Sequence, residues 1–160
     1  RGRLQCNFVP SSAYILLGLA AVGEDLQAPY IRRAVAWIES HQNPDGGFGE
    51  SIDSYGNLAY AGIGTSNPYV TGLVVSALLA VGGSPDCIDR AVGFLLLTQR
   101  EDGLWPGLGY MLVMNAPLPF YKLPADVWSV PLEALADYRT RGGGVHRVNP
   151  QQPSAGSPQR

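Results

Sequence analysis

The residues whose types and spacing best suit a specific task form two copies of one pattern. Gln42-Asn43-Pro44-Asp45-Gly46-Gly47-Phe48 is answered by Gln99-Arg100-Glu101-Asp102-Gly103-Leu104-Trp105, 57 residues further on. Each copy sets an amide, a carboxylate, a glycine and an aromatic ring at the same intervals. A glutamine just beyond a helix can donate its amide to carbonyls that lack an intrahelical partner. Asp45 and Asp102 can accept backbone N–H groups within the turn, and Gly46 and Gly103 permit a positive φ there. Phe48 and Trp105 are then expected to fold back over the glutamine amide and the helix end. Gln42, Asp45, Gly46, Phe48, Gln99, Asp102, Gly103 and Trp105 are therefore read as bracing a fold rather than reacting with a substrate. Little else in the chain suggests chemistry. His41 and His146 lie far apart, and Cys6 and Cys87 are separated by 81 positions with no Cys-x-x-Cys, so no metal site follows from spacing. The thiols are expected to be reduced core residues of a cytosolic protein.

The elements that must position these turns also repeat. Arg33-Ala34-Val35-Ala36-Trp37-Ile38 aligns with Arg90-Ala91-Val92-Gly93-Phe94-Leu95 at the same offset of 57. Leu19-Ala20-Ala21-Val22-Gly23 aligns with Leu78-Leu79-Ala80-Val81-Gly82 at an offset of 59, the slip falling in a connection. Each unit reads as an apolar helix, a glycine-ended turn, an amphipathic helix and a glycine-rich turn. The spacing predicts first helices over Ser11–Val22 and Pro68–Val81, capped by Gly23 and Gly82. It predicts second helices over Pro29–His41 and Pro85–Thr98, with the prolines in the first turn. Ile31, Ala34, Val35 and Ile38, and likewise Ile88, Ala91, Val92 and Leu95, mark their apolar stripes. A third unit is incomplete: Ala125–Arg139 has a helical pattern, and Pro131 should kink it or mark its start. Residues 49–66 and 106–124 are long connections, and no alternating strands stand out. The fold class is all-α, built from helical hairpins over residues 1–141, with a disordered Gly/Pro/Gln/Ser tail over 142–160.

Hydrophobic residues make up 46% of the 160-residue chain and charged residues 15%, well below the usual quarter. Such a chain packs helices on both sides or belongs inside something larger. A net charge of −2 gives nucleic acid no electrostatic hold. No apolar run approaches the ~18 residues of a membrane-spanning helix. The chain starts at Arg1 inside an apparent motif, which suggests a piece of a longer polypeptide.

The two turns resemble the QW repeat of the squalene–hopene and oxidosqualene cyclases. Gly2-Arg3-Leu4-Gln5-Cys6-Asn7-Phe8-Val9 is similar to a Gly-Arg-Trp-Gly-Val-Asn-Tyr-Ile stretch of that family, and Gly49-Glu50-Ser51-Ile52-Asp53-Ser54-Tyr55, Tyr60-Ala61-Gly62 and Phe120-Tyr121 continue in register. The resemblance implies an α/α-barrel (toroid), here a partial barrel of about five to six helices, from the C-terminal part of a class II terpenoid cyclase. It implies carbocation cyclisation of a linear, squalene-like isoprenoid in the intact parent, with no metal and no organic cofactor. It further implies a monotopic protein on the cytoplasmic side of a membrane, with a homodimer as an additional expectation.

In that family the middle Asp of an Asp-x-Asp-Asp motif protonates the substrate. No such motif occurs here, and the nearest pair, Asp86 and Asp89, sits on a helix start, so the chain alone is expected to be inactive. Phe8, Tyr69, Phe120, Tyr121 and Trp128 are the candidates for lining a substrate cavity. Glu50 and Asp53 are read as solvated or capping groups. Two other readings are a bacterial class II diterpene-type cyclase, which would need Mg²⁺ and more basic residues than Arg32, Arg33 and Lys122, and a non-catalytic α/α-toroid interaction module.

Overall fold

In a computed structural model the backbone is described for residues 8–106, 112–113, 120–121 and 124–141. Five α-helices carry the fold: α1 Phe8–Ala21, α2 Pro29–Glu39, α3 Pro68–Val81, α4 Pro85–Thr98 and α5 Pro124–Thr140. Helix α3 is flanked by α1 on one side and α5 on the other, while α2 packs on α1 and α4 on α3. Helices α1, α3 and α5 thus form an inner row, with α2 packed on α1 and α4 on α3 behind it. The fold is all-α, as the repeat pattern implied.

Sequence chemistry accounts for where the helices start and stop. The Asn67 side chain accepts the Tyr69 N–H at 2.9 Å and caps α3, and Pro68 fills its first position. Gly82 ends the helix at φ 69°, and the Gly83 N–H reaches back to the Leu78 carbonyl at 2.8 Å. Gly23, at φ 76°, closes α1 in the same way, with the Glu24 N–H on the Leu19 carbonyl at 3.1 Å. Helix α2 buries Ile31, Val35 and Ile38, and α4 buries Ile88, Ala91, Val92 and Leu95. These side chains join Val9, Ala13 and Leu16 of α1 and nearly the whole length of α3 in one core.

Several expectations need correction. Helix α1 begins at Phe8, not Ser11, because Pro10 falls within its first turn, where a missing N–H costs nothing, and the Glu50 carboxylate accepts the Val9 N–H at 2.7 Å. Helix α2 stops at Glu39, two residues before His41, whose backbone already belongs to the turn. Helix α5 runs unbroken through Pro131. That residue packs against Gly72 of α3 so closely that a Cβ on Gly72 would lie 2.9 Å from the Pro131 backbone. The connection after α4 holds a two-residue antiparallel pair, Leu112–Val113 with Phe120–Tyr121, too short to form a sheet of its own. The expected tail over 142–160 lies outside the described residues, as does Cys6.

Helix α2 also grips the link between α3 and α4. Arg32 donates to the Val81 and Gly82 carbonyls at 3.0 and 3.3 Å, and Glu39 accepts the Ser84 N–H at 2.7 Å. One repeat on, at the position matching Arg32, Asp89 of α4 accepts the Tyr138 hydroxyl of α5 at 2.7 Å. The side chains differ but the tie is kept: each outer helix holds the carboxyl-terminal end of the next inner helix.

Cys87 is a free, buried thiol on α4. Burial, reinforced by the Glu39 carboxylate, pushes it up to about 11 from 9.0. The fold therefore prefers the neutral thiol. Its contribution is complete below the unfolded value of 9.0 and fades as pH rises toward about 11. The melting temperature should fall over that interval, and Cys87→Ala should flatten the fall. Equal slopes for the two proteins in thermal scans would remove Cys87 from the account.

Candidate functional site

The two repeated turns are built alike, bond for bond. The Asn43 N–H donates to the Gly47 carbonyl at 3.0 Å, as Arg100 does to Leu104 at 2.8 Å. The Asp45 carboxylate accepts the Gly47 N–H at 2.9 Å, and Asp102 accepts that of Leu104 at 3.0 Å. Gly46 and Gly103 take φ of 86° and 80°, the left-handed region in which a side chain is disfavoured. Each glutamine amide then spans its own turn, Gln42 to the Gly46 carbonyl and Gln99 to the Gly103 carbonyl, both at 2.8 Å. This differs from the expectation that the glutamines would serve helix-end carbonyls. Leaving the helix, the side chain points along the turn. In the second copy it is the indole that reaches back, Trp105 Nε1 donating to the Leu95 carbonyl at 2.8 Å. Phe48 has no such donor, and both rings are buried.

Beyond this shared frame the copies part. The first turn is clamped from two sides. Asp45 also accepts the Ser66 hydroxyl at 2.7 Å, the Phe48 N–H donates to Thr71 Oγ1 at 2.9 Å, and Asn43 donates to the Gly64 carbonyl at 2.9 Å. On its other side Gln42 donates to the Cys87 carbonyl of α4 at 2.8 Å, and a Cβ on Gly46 would fall on the Arg90 carbonyl. At Gly103 a Cβ would meet nothing among the described residues, and an open crevice of about 580 Å³ lies alongside, lined by Gln99, Arg100, Glu101 and Asp102. Arg100 and Asp102 form an exposed ion pair there, 2.6 Å apart.

The five candidate cavity residues are not gathered into one pocket by the described residues. Phe8 and Tyr69 are buried, Phe8 at the start of α1 and Tyr69 at the start of α3. Trp128 stays 38% exposed on α5. Phe120 and Tyr121 form the second strand, and their side chains lie outside the described residues. The Tyr69 hydroxyl instead meets that of Tyr14 at 3.0 Å, a polar link across the α1–α3 seam. Its sequence signal was slight: two tyrosines in corresponding apolar helices. Glu50, read as a capping group, does cap, but on a helix 41 residues earlier in the chain. Asp53 stays local, its carboxylate accepting the Ser51 hydroxyl at 2.8 Å.

Among the described residues no group of three or more His, Cys, Asp or Glu is placed to hold a metal, and no helix is long and apolar enough to cross a membrane. Asp86 pairs with Arg90 at 3.4 Å and Asp89 holds Tyr138, both carboxylates at the surface, so neither has the dry setting of a strong proton donor.

Comparison with known proteins gives these features a family. The family model described as squalene-hopene cyclase C-terminal domain matches residues 1–140. The chain is 37% identical to the squalene–hopene cyclase of Bradyrhizobium diazoefficiens over 92% of its own length and 23% of the relative's. It is 37% identical to that of Zymomonas mobilis over 86% of the chain and 21% of the relative. Against the Alicyclobacillus acidocaldarius enzyme the identity is 44% over 65% of the chain and 17% of the relative. The chain thus spans about a fifth of the length of these three squalene–hopene cyclases. With its hairpin repeat and paired turns, matched over residues 1–140, the chain belongs to the squalene-hopene cyclase C-terminal domain family.

Proposed function

We propose that this chain is the C-terminal helical segment of a terpenoid cyclase that folds a linear, squalene-like isoprenoid and carries its cation through ring closure, an intramolecular transfer of the isomerase type. The observation that supports this most is the family match across residues 1–140. In this reading the inner row of α1, α3 and α5 contributes wall, and aromatic rings such as Tyr69 and Trp128 offer faces to developing cations. The Tyr14–Tyr69 hydroxyl pair adds one polar point to that wall. The paired turns hold the hairpins in register and take no part in the chemistry. The proton comes from a carboxylic acid elsewhere in the whole enzyme, and the substrate arrives from a membrane surface on which the enzyme sits monotopically, on its cytoplasmic side.

Two measurements test this. Residues 1–160 alone, incubated with squalene or short polyprenyl diphosphates, should give no cyclic product by gas chromatography and mass spectrometry. Residues 1–140 grafted in place of the matching segment of the Zymomonas mobilis enzyme should give a folded chimaera that cyclises squalene. A folded chimaera without any cyclic product would count against the proposal.

A further inference from the structure

Helices α1 and α3 carry no Asp, Glu, Lys, Arg or His. Their side chains can offer a reacting chain hydroxyls and nothing that is charged. Tyr14 is 43% exposed, on an α1 face that continues through Ile15 to Gly18, where a Cβ would meet nothing within 4 Å among the described residues. The hydroxyl of the buried Tyr69 meets that of Tyr14 at 3.0 Å. Whichever of the two donates, Tyr14 Oη keeps a lone pair that can accept a further hydrogen. One turn earlier on α1, Ser11 is 5% exposed, and its Oγ has no hydrogen-bond partner among the described residues. Helical side chains lean toward the amino terminus, so the Tyr14 ring lies over the turn that holds Ser11. A buried hydroxyl is seldom left unpaired, and a water, with two hydrogens and two lone pairs, suits both groups.

We propose that Ser11 and Tyr14 hold one water at the α1–α3 seam, and that this water adds to the last cation of the ring closure, making the product an alcohol. Ser11 Oγ donates to the water oxygen, and the water donates one hydrogen to Tyr14 Oη. Tyr69 fixes the Tyr14 hydroxyl and touches neither the water nor the substrate. All three are positioning residues. The remaining lone pair of the water oxygen forms the bond to the cationic carbon. The oxonium so formed gives one proton to solvent water and leaves a neutral alcohol. The inference rests on the cyclase reading above.

Two measurements keep the two apart. In the chimaera of residues 1–140 with the Zymomonas mobilis enzyme, run in H₂¹⁸O, Tyr14→Phe and Ser11→Ala should each lower the labelled-alcohol share of the cyclic product about tenfold, the loss of one hydrogen bond. Tyr69→Phe should lower it less, and adding it to Tyr14→Phe should change nothing further, because the hydroxyls act as one unit. A chimaera that forms cyclic product with an alcohol share unmoved by Tyr14→Phe and Ser11→Ala overturns the inference and leaves the cyclase reading standing. A folded chimaera with no cyclic product overturns both. The second measurement needs no catalysis. In the full chain, Ser11→Ala should lower the melting temperature, because the held water loses a partner. Deleting a hydroxyl that had no partner would instead raise it, so an unchanged or higher melting temperature overturns the held water.

Discussion

Replacing Trp105 by alanine should cost this fold about 3–5 kcal/mol, the range of buried aromatic truncations. The ring is 1% exposed, so its removal leaves a cavity the size of an indole beneath the second turn. It also strips the Leu95 carbonyl of its shorter side-chain donor, leaving it the Thr98 hydroxyl at 3.4 Å, near a helix end where intrahelical partners run out. Trp105→Phe separates the two effects. Phe48 fills the homologous place without a donor, so phenylalanine should fit and cost about 1–2 kcal/mol, mostly for the lost hydrogen bond. Guanidinium unfolding of the full chain measures both. In a chimaeric cyclase each change should lower the melting temperature and leave product identity alone. An altered product mixture at an unchanged melting temperature would instead make the indole part of the cavity wall.

Gly46→Ala should destabilise by about 3–4 kcal/mol, while Gly103→Ala, at the equivalent position, should cost only about 1–2 kcal/mol. Both glycines lie in the left-handed region, so both alanines carry the same backbone penalty. Only at Gly46 does the new methyl also fall on the Arg90 carbonyl, which belongs to the backbone of α4 and cannot swing aside as a side chain could. Equal losses in denaturant titrations would mean that the first turn is not wedged against α4.

The amino-acid sequence was enough to place most of the architecture because the determinants of a helical hairpin are local. Pro29, Pro68 and Pro85 start helices, Gly23 and Gly82 end them, and the 3-4-3 spacing of Ile88, Ala91, Val92 and Leu95 selects the buried face, all within a few residues of the effect. The repeat added long-range information, since two copies 57 residues apart had to pack equivalently. Where local rules failed, a distant partner had intervened. Pro131 lies inside α5 and packs on Gly72, 59 residues earlier, and the first turn of α1 is capped by Glu50 from across the fold.

The candidate site was legible only as a list of residues. Asp45, Asp102, Gly46 and Gly103 could be assigned from turn chemistry, because an aspartate and a glycine act on the backbone beside them. Whether Gln42 would clasp the next helix, or Tyr14 would find Tyr69, could not, because a side-chain amide or hydroxyl has several partners within reach in sequence and packing selects one. Tertiary structure alone also seated the first of two turns of almost the same sequence pattern against the start of α4. Residue type sets what a turn can hold, and the helix that arrives decides what it does hold.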